Sequence, residues 1–313
     1  MGCFWERSTQ EIKKMDRSIK IFVPASSANL GAGFDVIGAC LNVWNTIQIK
    51  EESFSINIDG YGSKSISKNK DNLIYQSYLK TSEILGFKEK EISIQCNNSI
   101  PISGGLGSSS SAVIGGIYAA YAINKIDINI DDIFQIASDI ECHPDNVGPA
   151  IYGGVTIGFN DLEKWYISSV GYNKNLKFIS FVSDQKVLTN ESRKALPKEI
   201  SRKDAVYNIS RASLLINSLN SNNFDLLKYA FQDKLHEPYR TPSIRGYETI
   251  SNAAMNAGAI STYLSGSGPT ISAVCLSKEV TINYEMLDAA NKLGIQGQGI
   301  ISSISNKGAY IGE

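Results

Sequence analysis

Polar and apolar residues alternate over residues 18–23 (SIKIFV) and again over 44–50 (WNTIQIK), the period of two expected of half-buried strands. Between them PASSANLGAGFDVIGACLN is too rich in Gly and Ser for either regular element and reads as a loop. Residues 54–58 and 91–96 are further strand candidates, and residues 72–85 carry apolar side chains at helical spacing. Residues 108–124 predict a helix with a small-residue face suited to close packing on a sheet. A second helix over 130–140 puts Ile130, Ile133, Phe134, Ala137 and Ile140 on one stripe, and Pro144 stops it by disfavouring helix at the residue before.

Strands are predicted at 153–159 and 177–183, then helices near 202–219, 223–235 and 243–257. Strands at 260–264 and 270–276 flank a Gly-rich turn, and a helix near 284–293 and a strand near 299–305 follow. The order β, α, α, α, β, β, α, β predicts an α+β sandwich with helices on one sheet face. The division falls near residue 170, giving units over 18–170 and 171–313. Residues 1–17 show no core pattern and read as an extension or added segment, with Met15 an alternative start. The opening Met1-Gly2-Cys3 is like an acylation signal, but Glu6 stands where myristoylation needs Ser or Thr.

A chain of 313 residues that is 42% hydrophobic can fill one large core or two ordinary ones. Its 30 basic and 31 acidic residues leave a net charge of −1, so no overall field recruits nucleic acid or an anionic membrane, and any anionic ligand must be held locally. The five cysteines show no CxxC pair and no metal-ligand spacing, which suggests a reducing cytoplasm. The longest uncharged apolar stretch, 112–123, is too short to span a bilayer, so the expectation is a soluble protein without membrane partners.

The stretch IPISGGLGSSSSAVIGG, residues 100–116, carries the candidate chemistry. A strand ending at Pro101, a Gly-rich turn and a helix opening at Ser108 place free backbone N–H groups at a positive helix end, which makes a phosphate cradle. It is not a Walker A loop, because no lysine lies between Pro101 and Ala122. The other reading is a small-residue helix start chosen for packing, with Ser108 as an ordinary N-cap. Glu141 ends a helix where its charge is disfavoured, so a cation should compensate it. Asp35 borders the apolar Val36-Ile37 and needs a partner if buried, or else stabilises an Asx turn. Arg193 and Arg240 could clamp a carboxylate together or form separate surface ion pairs. His143, one of two histidines with His236, reads either as a structural hydrogen-bonder or as a catalyst.

PISGGLGSSSSA resembles the central motif P-x-x-x-G-L-G-S-S-A-A of the GHMP kinases, and PASSANLGAGFDVIG and STYLSGSGPTISAV resemble that family's other two motifs in the right order. SANLGAGFD and HPDNVGPAIYGG resemble the wording of its homoserine kinase branch. The resemblance implies an α+β GHMP kinase fold, with an N-terminal ribosomal protein S5 domain 2-like domain that binds ATP and a C-terminal ferredoxin-like α/β sandwich. It implies ATP and Mg²⁺, phosphorylation of L-homoserine and a homodimer. The alternatives are another small alcohol such as mevalonate, or a non-catalytic nucleotide sensor. It assigns Asn72, Pro101, Gly104, Gly105, Leu106, Gly107, Ser108 and Ser109 to the nucleotide, and Ser108 with Glu141 to Mg²⁺. It assigns Asn29, Asp35, His143, Asn146, Thr189, Arg193, Arg240 and Gly266 to homoserine. Where mevalonate kinase and galactokinase carry a catalytic aspartate, seven residues before Gly153, this chain has Asn146, so no carboxylate takes the hydroxyl proton there. Two departures stand out: Cys142 replaces the family's usual glycine, and Ser110 and Ser111 replace alanines.

Overall fold

A seven-stranded sheet organises the first half of the computed structural model, which describes residues 18–102, 104–187 and 189–312. The expected extension over residues 1–17 lies outside the described residues. The sheet contains β1 (Ile19–Ala28), β2 (Ile37–Glu51), β3 (Ser55–Gly60), β4 (Ile92–Asn98), β5 (Val155–Asp161) and β6 (Lys164–Val170). Along β2, Ile47 and Ile49 are buried while Thr46, Gln48 and Lys50 stay partly exposed, the alternation of a sheet covered on one face. The cover is α1 (Leu73–Ile84), α2 (Ser108–Ile123), α3 (Ile130–Glu141) and α4 (Val147–Tyr152), whose Ile74, Val113, Ile117, Phe134 and Val147 pack on Ile21, Val23, Ile47 and Ile94. α2 is buried almost all round, which is why its sequence is small and apolar rather than amphipathic.

The second sheet is antiparallel and runs in the order β10-β7-β9-β8, with β7 (Lys177–Ser183), β8 (Ser261–Leu264), β9 (Ile271–Cys275) and β10 (Gly297–Ser303). Ile179 and Phe181 of β7 face Ile250 of α9 (Tyr247–Asn256) and Ile282 and Met286 of α10 (Glu279–Lys292), so these two helices share one face. Phe178 and Val182 point the other way, into a cluster with Leu215 of α6 (Arg202–Ser221), Leu227 of α7 (Phe224–Ala230), and Ala25 and Leu41 of the first sheet. That shared cluster ties the halves together and sets the cleft between them. Two short helices, α5 (Thr189–Lys194) and α8 (Glu237–Arg240), carry the two candidate arginines to the cleft. The last strand, β11 (Tyr310–Gly312), returns to the first sheet beside β1.

The reading of PASSANLGAGFDVIGACLN as one loop is corrected. β1 continues through Ala28 and β2 begins at Ile37, leaving only residues 29–36 between strands. Ser26 and Ser27 are fully buried opposite Cys40 and Ala39, so both faces are covered and no polar–apolar alternation marks the strand. α4, α5, α8 and β11 are too short to display a period. No helix among the described residues is long and apolar enough to cross a membrane.

Candidate active site

The Gly-rich turn between β4 and α2 lies flush against both halves of the molecule. Gly105 and Gly107 have φ of 75° and 72°; a Cβ on Gly105 would stand 2.2 Å from the Ser265 carbonyl oxygen, and one on Gly107 2.1 Å from Ser26 Oγ. Only glycine fits both the backbone conformation and the space. Ser26 N–H donates to the Leu106 carbonyl at 3.2 Å, and Ser265 Oγ to the Gly105 carbonyl at 2.6 Å, which pins the turn to β1 and to the loop after β8. Gly107 rather than Ser108 is the N-cap of α2, and no side chain accepts from its first amides. The positive end of a 16-residue helix is therefore uncapped at a cavity wall, which suits an anion.

Glu141, at the end of α3, meets this helix start. Ser109 Oγ donates to Glu141 Oε1 at 2.9 Å and Ser110 Oγ to Oε2 at 2.8 Å. The expected partner Ser108 lines the same cavity, but the hydroxyls that reach the carboxylate belong to the next two serines. The two serines that replace family alanines are both accommodated, Ser110 by Glu141 and Ser111 by Asn45 Nδ2 at 3.3 Å. Cys142 caps α3 with φ 63°, the left-handed conformation that glycine adopts without strain, which accounts for the family's preference there. The carboxylate and serine hydroxyls form an all-oxygen set that fits Mg²⁺, which takes one or two protein carboxylates and leaves its other positions to phosphate and water. Among the described residues no group of three or more His, Cys, Asp or Glu is placed to hold a metal ion.

At the other end, residues 29–36, α5, α8 and the turn 265–268 converge. Asn29 Nδ2 donates to the Gly266 carbonyl at 2.8 Å, and Asn29 Oδ1 accepts from the Asp35 amide at 3.0 Å. Asp35 and Arg193 form a bidentate pair, both bonds 2.9 Å, and that hydrogen bond raises the arginine pKa. Arg240 is only 4% exposed; its Nη1 donates to the Gly266 carbonyl at 3.1 Å, and burial lowers its pKa. His143 Nδ1 donates to the buried Asp145 at 2.9 Å. Burial opposes the charge on His143, yet that bond and the carboxylate charge outweigh it and raise its pKa. Asn146 Oδ1 accepts from Ser26 Oγ at 2.9 Å, between the glycine turn and the Asp35 end.

One cavity of about 790 Å³ connects all of this. Asn29, Asp35, Asn72, Gly104, Gly105, Gly107, Ser108, Ser109, Glu141, His143, Asn146, Arg193, Arg240 and Gly266 line it. Pro101 and Leu106 do not: both are buried, and Leu106 supports the turn from the core beneath. Thr189 opens α5, and its side chain lies outside the described part. Asn72 caps α1, accepting from Ile74 N–H at 3.0 Å and donating to the Ser67 carbonyl at 2.7 Å, so its side chain is already occupied. The apolar lining near it, Ile58, Ile66, Leu73 and Ile102, was not legible in the sequence, because its parts come from four separate segments. Asp145 and Ser26 were also missed; the H-x-D wording around His143 was the available signal for the first.

A family model described as GHMP kinases N terminal domain matches residues 72–154, and one described as GHMP kinases C terminal matches residues 206–294. The chain is 36% identical over 294 residues to the homoserine kinase of Clostridium beijerinckii, covering 94% of this chain and 98% of that protein. It is 42% identical over 258 residues to the homoserine kinase of Clostridium acetobutylicum, covering 82% and 87%. The crystal structure of homoserine kinase from Cytophaga hutchinsonii matches with a TM-score of 0.85 at 27% identity, covering 99% of this chain and 100% of that one.

Proposed function

The chain belongs to the GHMP kinases, and we propose that its cavity seats ATP on the glycine turn and L-homoserine between Asp35 and two arginines. The reaction is ATP-dependent phosphorylation of the L-homoserine hydroxyl to O-phospho-L-homoserine, a step of threonine biosynthesis. The observation that carries the site assignment is the single cavity joining an uncapped helix N-terminus to a carboxylate–guanidinium set.

Homoserine is a zwitterion at neutral pH. Its ammonium takes the place of Arg193 on Asp35, and the released Arg193 joins Arg240 on the carboxylate, so the ligand-free ion pair opens into two substrate contacts. Asn29 and Gly266 keep the facing loops in register, His143 completes the pocket, and the terminal hydroxyl is directed toward the phosphate turn. The apolar wall of Ile58, Ile66, Leu73 and Ile102 receives the base, with Asn72 fixing the start of α1 beside it. Phosphoryl transfer through a loose transition state asks chiefly for alignment and charge neutralisation. The amides of residues 104–109 and the α2 dipole provide these without a lysine. Glu141, oriented by Ser109 and Ser110, and the Ser108 hydroxyl would hold Mg²⁺, which when bound neutralises phosphate charge. Asn146 cannot accept the hydroxyl proton, and it holds Ser26 instead; the proton departs late, to a phosphate oxygen or water.

A coupled ADP-release assay across L-homoserine, mevalonate, galactose and shikimate tests this reading. Turnover with L-homoserine alone is expected. Turnover only with another alcohol would move the acceptor assignment, and ATP binding without any turnover would indicate a sensor.

A further inference from the structure

Arg240 is 4% exposed, yet no carboxylate pairs with it among the described residues. Its direct hydrogen-bond partners are neutral, while Asp35, Asp145, Asp233 and Arg193 act on it through space. Nε donates to the Ser192 carbonyl at 3.5 Å, and Nη1 donates to the Gly266 carbonyl at 3.1 Å and to His236 Nδ1 at 3.4 Å. Its guanidinium lies over the Phe34 ring, 5.1 Å from the centroid. A buried cation with no carboxylate in direct contact keeps its hydrogen-bonding face available for an incoming anion.

His236 has no exposed surface, and its partners fix its tautomer. Nε2 stands 2.9 Å from the Gly31 carbonyl, which can only accept, so Nε2 carries the hydrogen. Nδ1 faces a guanidinium, which can only donate, so Nδ1 presents its lone pair. The ring therefore bridges the 29–36 loop, which carries Asn29 and Asp35, to α8, which carries Arg240. Phe34 of the same loop stacks on the histidine at 5.1 Å and so contacts both residues. Asp233 Oδ2 lies 3.7 Å from Nε2 but accepts the amides of Leu235, His236 and Glu237, so it anchors the start of α8. Burial holds the imidazole below its ordinary pKa, consistent with a neutral acceptor beside a cation.

We propose that His236 is a positioning residue for the amino-acid clamp: as the neutral Nε2–H tautomer it ties the substrate loop to Arg240 and aims the guanidinium at the substrate carboxylate. The inference rests on the assignment of Arg240 to that carboxylate.

Steady-state kinetics on His236→Leu, His236→Gln, His236→Asn and Arg240→Ala test both statements separately. His236→Leu should raise the L-homoserine KM on the order of tenfold, the loss of one hydrogen bond to a charged group. The ATP KM should stay within about twofold and kcat within about threefold. His236→Gln, whose amide can donate to Gly31 and accept from Arg240, should recover most of the affinity; the shorter Asn should not. If His236→Leu fails to fold, the contrast between Gln and Asn decides the question. An unchanged L-homoserine KM in Leu, or a parallel loss in both KM values and kcat that Gln does not rescue, would overturn the positioning role. An unchanged L-homoserine KM in Arg240→Ala would instead overturn the carboxylate assignment.

Discussion

Asp35→Asn removes one negative charge and very little else. Asp35 has φ 56°, a conformation Asn tolerates well, and the link to Asn29 uses the Asp35 backbone amide, which the substitution keeps. The pair it breaks is bidentate, but the Arg193 and Asp35 side chains are 38% and 32% exposed, so solvent screens it. In the ligand-free protein such a pair contributes about 0.5–1 kcal/mol. For a chain of this size the melting temperature should fall by roughly 1–4 °C. On the proposed binding mode the same carboxylate meets the substrate ammonium inside the cavity, where a hydrogen bond between charged groups is worth about 1.5–3 kcal/mol. The L-homoserine KM should then rise roughly 10- to 150-fold, with the ATP KM little changed. Calorimetry and steady-state kinetics on the same preparation give both numbers. A large fall in melting temperature with an unaltered L-homoserine KM would make Asp35 a purely structural partner of Arg193 and refute the exchange of partners described above.

Glu141→Gln keeps one serine hydrogen bond, requires the other serine to turn from donor to acceptor, and removes the charge that would face Mg²⁺; kcat should fall by about 100-fold, with a higher Mg²⁺ requirement in a metal titration. Cys142→Gly relieves a left-handed residue and should stabilise the protein by about 0.5–1 kcal/mol, measured by denaturant midpoint. Glu237, half-buried, accepts from Leu264 N–H at 2.7 Å and Tyr247 Oη at 3.3 Å, and desolvation pushes its carboxyl up to about 8 from 4.5. Its folded form thus holds a proton that the unfolded form has released, so its contribution is fully present below 4.5 and is lost as pH rises toward about 8. Chemical denaturation should show Glu237→Gln gaining stability relative to the parent across that window, and equal pH slopes for the two would contradict the protonated carboxyl.

Much of the first domain was legible because its elements obey one period. The stripe on α3 and the alternation in β2 each face a single core, so sequence spacing and burial coincide. The strand portions around Ser26 and Cys40 were illegible for the opposite reason: covered on both faces, they display composition without rhythm. The glycine turn could be read from residue type, since positive φ and close backbone approach demand glycine at 105 and 107. The motif wording marked residues on both sides of the cleft, but not which of them touch. That Ser109 and Ser110 rather than Ser108 reach Glu141, that Asp35 pairs with Arg193, and that His236 contacts Arg240 depend on helix phase and on packing between distant segments.

The central claim is that a lysine-free turn of amides and hydroxyls grips a triphosphate while the Asp35 end holds the acceptor in the same cavity. A crystal structure with a non-hydrolysable ATP analogue, Mg²⁺ and L-homoserine tests it most directly. The account predicts β- and γ-phosphates against the amides of residues 104–109, with the homoserine ammonium on Asp35 and its carboxylate on Arg193 and Arg240. Phosphates lodged elsewhere, or an Asp35–Arg193 pair left intact beside bound homoserine, would contradict it.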